Sequence, residues 1–268
     1  LEVARISDHW IPAKGGKIRL RMYLPESLAP LPLLAYFHGG GFVLGSLEET
    51  NAFCTRLAAG AHCAVASVDY RLAPEHRWPT AEQDALAAVT WLAENAPHYG
   101  IDASRFVIAG NSAGANLAAH VALRLRERAW SRLGGQVLIC PWLDLMHTNT
   151  ESFHWFGQGD WLSATTVNWF RFHYFGDFDD CTRASPLLEE DPHVLPPALI
   201  VAAEFDVLRS QAESFADRLS ASGNDMDMEI FPGVLHDFVL LPGQFARAVP
   251  ATVKIIENLR KTFARRSA

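Results

Sequence analysis

The sequence predicts an α/β domain: a mostly parallel central sheet flanked by helices on both faces. Three observations predict it. Apolar runs at residues 33–37, 64–68, 106–109, 137–140 and 198–203 are continuous rather than alternating, as in strands covered on both sides. Stretches with apolar residues at helical spacing lie between several of them, and strands alternating with helices build a parallel sheet whose ligand sites lie at the strands' carboxyl ends. The chain's 268 residues, 49% hydrophobic and 20% charged, are enough for one large core. No internal repeat or low-complexity linker marks a second core, so residues 1–268 read as a single domain with an insertion at about 148–180.

Taken in order, Ile18, Leu20, Met22 and Leu24 alternate with Arg19, Arg21 and Tyr23, the period of a strand with one covered face; Pro25 ends this early antiparallel strand. A helix opens at Thr80, where Gln83 three residues on suggests a capping box, and carries Ala85, Ala88, Val89 and Leu92 on one stripe. After the run at 106–109, Ala118, Val121, Ala122 and Leu125 form a second stripe. After 198–203, Leu208, Ala212, Phe215, Ala216 and Leu219 form a third. A last strand lies near residues 228–231, ahead of a C-terminal helix. Residues 148–180 break this rhythm with ten aromatics, among them Trp155, Phe156, Trp161, Trp169, Phe172 and Tyr174, and read as a small helical, aromatic-rich cap over the sheet.

The charge balance narrows the partners. A net charge of −7 argues against nucleic acid or an anionic membrane surface, both of which need clustered Lys and Arg. No apolar run approaches the roughly 20 residues of a membrane span. Cys54, Cys63, Cys140 and Cys181 show neither C-x-x-C spacing nor a paired-histidine pattern, so reduced buried thiols are expected rather than a zinc site or a disulfide framework. A cytoplasmic location is the expectation.

Candidate chemistry gathers at three strand ends. Ser112 lies in Gly110-Asn111-Ser112-Ala113-Gly114, a G-x-S-x-G pattern between a buried strand and a helix. A sharp turn there pushes the serine Oγ up at the sheet's edge, two glycines leave room for it, and the helix aims its first N–H groups at any oxyanion nearby. An ordinary tight turn is the plain alternative. After the run 33–37 stands His38-Gly39-Gly40-Gly41, whose glycines contribute no packing and let backbone N–H groups turn toward a developing oxyanion, together with the N–H of Ala113. His38 reads as a brace for that loop.

A serine hydroxyl is a weak nucleophile at neutral pH and needs an imidazole oriented by a carboxylate. Where a G-x-S-x-G serine caps a parallel sheet, the acid and then the histidine follow it in the chain. Asp206, between the run 198–203 and a helix, is the favoured acid, with Glu204 its near rival. His236, in the loop after the last strand, is the favoured base; His147, His154, His173 and His193 read as surface or packing residues. Asp69, Arg71 and Glu75 read as an internal charge network bracing their loop.

Together, His38-Gly39-Gly40-Gly41, Asp69-Tyr70-Arg71-Leu72-Ala73-Pro74-Glu75, Gly110-Asn111-Ser112-Ala113-Gly114, Pro141-Trp142-Leu143-Asp144, Glu204-Phe205-Asp206-Val207-Leu208-Arg209 and His236-Asp237-Phe238 resemble the hormone-sensitive lipase family of microbial carboxylesterases. The likeness runs from about Val3 to the C-terminal helix. It implies an α/β-hydrolase fold, hydrolysis of carboxylic esters with short to medium acyl chains, no cofactor and no metal. It implies Ser112, Asp206 and His236 as the triad, with Gly39, Gly40 and Ala113 as oxyanion donors. Two departures stand out. Asn111 occupies a place where the family usually has Asp or Thr, and the chain starts almost at the first strand, where family members carry a helical segment of the cap, so either that segment is missing from this sequence or the pocket is unusually open.

The expected partner is a small-molecule ester. A non-catalytic binder of the gibberellin-receptor kind, which resembles the family, would lack the histidine, and His236 is present; an amidase or peptidase would share the triad. A homodimer is expected through the last strand, whose Met228, Ile230 and Phe231 would offer an apolar edge.

Overall fold

The computed structural model describes residues 3–127, 133–159, 161–176, 181–189, 192, 193 and 195–265. Strands β1 (Arg5–Ala13) and β2 (Gly16–Leu24) form an antiparallel hairpin, and β2 pairs antiparallel with β4 (Ala64–Asp69). Beyond β4 the sheet is parallel through β3 (Leu31–Phe37), β5 (Ile101–Asn111), β6 (Leu133–Ile139), β7 (Ala198–Phe205) and β8 (Met226–Leu235), giving the order β1-β2-β4-β3-β5-β6-β7-β8. All seven residues of β3 are buried, so its run is continuous for the reason the sequence suggested: both faces are covered. Leu33, Ala35 and Phe37 face one core with helices α2 (Thr80–Asn95), α3 (Ala113–Glu127) and α6 (Arg209–Ala221). Leu34 and Tyr36 face the other with α1 (Leu47–Ala61) and α7 (Ala248–Arg265).

The three apolar stripes read from the sequence are buried on α2, α3 and α6. The capping box at Thr80 is not formed: the cap residue is Pro79, which has no side-chain cap bond, and Thr80 already lies inside the first turn, where the Gln83 N–H reaches the Pro79 carbonyl at 3.1 Å. A side-chain cap stands instead at Ser46, whose hydroxyl accepts the Glu49 N–H at 3.4 Å and starts α1. Asp69, Arg71 and Glu75 do not form one network. Arg19 takes Asp69 at 3.0 Å, Arg71 grips Asp84 with two bonds of 2.9 and 2.7 Å, and Glu75 is exposed and takes part in neither pair.

Between β6 and β7 the chain rises over the carboxyl edge of the sheet as α4 (Glu151–Phe156) and α5 (Ala164–Phe175). Residue 160 and residues 177–180 of the expected cap lie outside the described residues. The cap is anchored by the Ser152 hydroxyl donating to the Val207 carbonyl at 2.6 Å and by Tyr174 stacked on Phe42 with ring centroids 4.1 Å apart. The four cysteines are buried and not joined in disulfides, and among the described residues no helix is long and apolar enough to cross a membrane.

The edge expected to pair in a dimer is corrected in one respect. β8 is the edge strand, but Phe231 turns inward against Phe238 and is 4% exposed, while Ile230 faces out. Strand alternation sends neighbouring residues to opposite faces, so Ile230 and Phe231 cannot share one surface.

Candidate active site

Ser112 sits at the junction of β5 and α3 with φ +54°, a strained value for a residue with a Cβ. The turn is held by the Ser112 N–H donating to Ile139 at 2.8 Å and by the Ser112 carbonyl accepting from Ala115 and Trp142 at 3.1 and 3.2 Å. Both motif glycines are required sterically: a Cβ on Gly110 would run into the Gly114 backbone, and one on Gly114 into the Phe37 carbonyl. Ala113 opens α3, so its N–H has no partner within the helix and is available at the serine turn.

The carboxyl ends of β7 and β8 deliver the other two groups. His236 Nε2 lies 2.9 Å from Ser112 Oγ, and His236 Nδ1 lies 2.7 Å from Asp206 Oδ2. With the Nδ1 proton donated to the carboxylate, Nε2 is left to accept from the serine hydroxyl. Asp206 is fixed through its other oxygen, which accepts the Leu208 N–H at 2.9 Å. Ser112, Asp206 and His236 are each no more than 6% exposed. Glu204, the rival acid, spends its carboxylate on the Gly233 N–H at 2.7 Å, tying β7 to the β8 turn.

The glycine loop lies across the serine turn. Gly40 and Gly41 take φ of +110° and +60°, and the Gly40 carbonyl closes a tight turn by accepting from Val43 and Leu44 at 3.1 and 2.8 Å. A Cβ on Gly41 would strike the ring of Phe170 from the cap, so the loop and α5 touch there. His38 is buried and braces the loop, donating from Nδ1 to the Gly39 carbonyl at 2.7 Å and stacking on Tyr70 at 4.3 Å. Burial pushes its pKa down.

Electrostatically His236 is set apart from that brace. Burial opposes a charge on His236, but the carboxylates of Asp206 and Asp237 more than offset it, so its pKa is raised. Among the described residues the one His/Cys/Asp/Glu group close enough to share an ion is Cys140 with Asp206 and His236. Burial and the two nearby carboxylates push the Cys140 thiol well up, which keeps it neutral, and the Asp206 and His236 atoms are engaged with each other; the group fits a proton relay and not a thiolate metal site.

The sequence now has its counterpart among known proteins. It matches over residues 34–240 a family described as having the alpha/beta hydrolase fold. The chain belongs to the α/β-hydrolase family. It is of the hormone-sensitive lipase type, and it is a carboxylic ester hydrolase. Carboxylic ester hydrolase LipN of Mycobacterium tuberculosis is 37% identical over 268 residues, covering 97% of this chain and 71% of that protein. Ethyl acetate hydrolase of Pseudomonas putida is 37% identical over 265 residues, covering 96% and 82%. Among solved structures, the hyperthermophilic esterase of the archaeon Pyrobaculum calidifontis superposes with a TM-score of 0.94 at 39% identity, covering 97% of this chain and 86% of that one.

Several groups around the enzyme's site were not singled out from sequence. The Trp161 indole N–H donates to the His236 carbonyl at 2.8 Å and so ties the cap to the loop that carries His236. Trp161 also lines a cleft of about 600 Å³ with Trp155, Phe156, Leu162, Phe205 and Leu235. Gln211, fully buried, accepts the Leu143 and Asp144 N–H groups at 3.0 Å each and pins the loop after β6. Asn111 was noticed as a departure, but its partner was not: the Tyr36 hydroxyl donates to its Oδ1 at 2.7 Å. None of these carries a local pattern, because each meets a partner at least 67 positions away.

Proposed function

We propose that this ester hydrolase cleaves short to medium acyl or aryl esters through Ser112, His236 and Asp206 by way of an acyl-enzyme. The observation that carries the reading is the unbroken run of two hydrogen bonds from Ser112 Oγ through His236 to Asp206, at 2.9 and 2.7 Å. His236 Nε2 takes the hydroxyl proton as Oγ bonds to the ester carbonyl carbon. Asp206 holds the imidazole in the required tautomer and stabilises the imidazolium. The N–H groups of Gly39, Gly40 and Ala113 receive the oxyanion. His236 then protonates the departing alcohol, and water attacks the acyl-enzyme with the same base. Every step is supplied by side chains and backbone, so the sequence calls on no cofactor or metal.

The walls of the cleft bear on the substrate range. The aromatic cleft beside Leu235 and Trp161 offers an apolar group a place to lie, next to the base that serves the leaving group. Where the cleft is open, each added methylene contributes less than the ~0.8 kcal/mol of full burial. By analogy with the family, a preference for acyl chains of about four to eight carbons is expected, with kcat/KM flat or falling beyond. A p-nitrophenyl ester series on wild type and Ser112→Ala, run beside matched amides, tests the reading. Loss of all turnover in the variant and a strong preference for esters support it; rates that keep rising into emulsified triglycerides, or amides cleaved as fast as esters, contradict it.

The homodimer stands as a proposal on narrower ground. β8 is the edge of the sheet, with Ile230 exposed on one of its faces and Asp227 and Glu229 on the other, both paired to Lys254 at 2.9 Å. A monomer mass by light scattering at micromolar concentration contradicts it.

A further inference from the structure

We propose that Asp237 is a positioning residue for the general base, a second carboxylate that steadies the Nε2 edge of His236 while Asn111 and Tyr36 hold it in place. The inference rests on His236 being that base. Asp237 Oδ2 lies 3.6 Å from His236 Nε2, the nitrogen that faces Ser112, whereas Asp206 serves the opposite nitrogen. Asp237 takes φ +57°, an unfavourable backbone for a non-glycine residue, so the loop holds the carboxylate here at a cost.

Asn111 explains how it is held. Its Oδ1 accepts from Tyr36, which leaves its amide N–H groups as donors on the side of Asp237; burial pushes the Asp237 carboxyl up, and the His236 ring and the Asn111 amide work against that rise. An amide accepts from the phenol through its oxygen and still offers N–H donors toward the carboxylate, whereas an aspartate at 111 would set two carboxylates against each other. Gly39 completes the arrangement, since a Cβ there would come within 2.5 Å of Asn111 Nδ2. The oxyanion loop, the serine turn and the base loop thus meet at one amide.

The chemistry assigned to Asp237 involves no proton of its own. The proton leaves Ser112 Oγ for Nε2, then passes from Nε2 to the leaving oxygen. Between those events Asp237 stabilises the imidazolium from the side that Asp206 cannot reach. The groups facing the imidazole are Asp206 at the end of β7, Ser112 at the end of β5, Cys140 after β6 and Asp237 itself; Tyr36 of β3 and Tyr70 after β4 lie behind. Burial keeps the thiol and both phenols protonated, so Asp206 and Asp237 are the groups that favour the protonated ring of His236. A carboxylate favours the protonated ring, so the neutral base appears only at higher pH, and removing the charge must move the rising limb of kcat/KM to lower pH.

The test is the pH profile of kcat/KM for p-nitrophenyl acetate in wild type, Asp237→Asn, Asp237→Gly and His236→Ala. Asp237→Asn keeps the shape, and Asp237→Gly relieves the backbone, so one of them folds even if the other does not. Both are expected to lower the limb by about half a pH unit or more and kcat several-fold, with KM moving less than about twofold. Asn111→Asp should move the limb the other way, and Asp237→Asn in that background should bring it back. A limb that stays put in both Asp237 variants while His236→Ala is inactive overturns the role of Asp237 alone, since a merely structural residue changes rate without moving the limb. Activity retained in His236→Ala overturns the triad assignment and this inference with it.

Discussion

Two histidines in this molecule are buried beside a carboxylate, and they behave in opposite ways. His236 meets Asp206 at 2.7 Å and its pKa is raised; His120 of α3 meets Glu82 of α2 at 3.2 Å, under the cap, and its pKa is lowered to about 3. Burial is nearly the same, 6% and 7% exposed. The difference lies in what surrounds each pair. Around His236 stand two carboxylates, one of them Asp206, which is held by a backbone N–H, and both favour a proton on the ring. Around His120, burial is joined by Arg124 and Arg183, which repel a proton on the ring, and burial also pushes the Glu82 carboxyl up to about 8 although the Trp78 indole donates to it at 2.9 Å. The first pair is built to carry charge and the second to stay neutral. Proximity of a histidine to a carboxylate does not make a base; the neighbouring charges do.

Substitutions break this contrast in order of expected size. Ser112→Ala should remove turnover altogether, measured against the uncatalysed rate. His236→Ala and Asp206→Asn should each lower kcat by on the order of 10⁴, whereas Glu204→Gln, which loses only the Gly233 contact, should do far less. If Glu204→Gln proved the damaging change and Asp206→Asn the mild one, the acid would be reassigned. Trp161→Phe removes the indole N–H from the His236 carbonyl and should cost kcat/KM about three- to tenfold, the scale of one hydrogen bond. Glu82→Gln should leave kcat within about twofold and act on stability instead. A carboxyl whose pKa is raised in the folded state releases its proton on unfolding, so its contribution is complete below about 4.5 and is lost as pH climbs toward 8. The glutamine cannot titrate, so by denaturant unfolding it should gain on wild type by about 1 kcal/mol or more between pH 5 and pH 8. A constant difference across that range would show that Glu82 is charged.

What the sequence made legible follows the same division between local and distant causes. The parallel strands could be read because the central stretches of β3 to β7 are covered on both faces and are mostly apolar, and Ser112 because its turn imposes glycine on either side. Asp206 and His236 could be placed because each follows a strand that ends at the same edge. β1 escaped notice because it is an edge strand with Ile11 as its one buried residue and Trp10 67% exposed. α1 carried a usable signal, Ser46 with Glu49 three residues on, while the similar pattern at Thr80 was not a cap because Pro79 had already taken that place. Phe231 was misplaced because an apolar residue on an edge strand faces either solvent or core, and only the register with β7 decides which. The Tyr36, Asn111 and Asp237 arrangement joins three strand ends and leaves no trace at any one of them.

The central claim is that Ser112 is the nucleophile served by His236. Phosphonylation tests it at the atom. Wild-type enzyme treated with a fluorophosphonate is expected to gain the mass of one adduct, mapping to the peptide that holds Ser112. Ser112→Ala, folded by circular dichroism, is expected to gain none. An adduct on another residue of the wild type, or labelling of Ser112→Ala at the wild-type rate, would contradict the account.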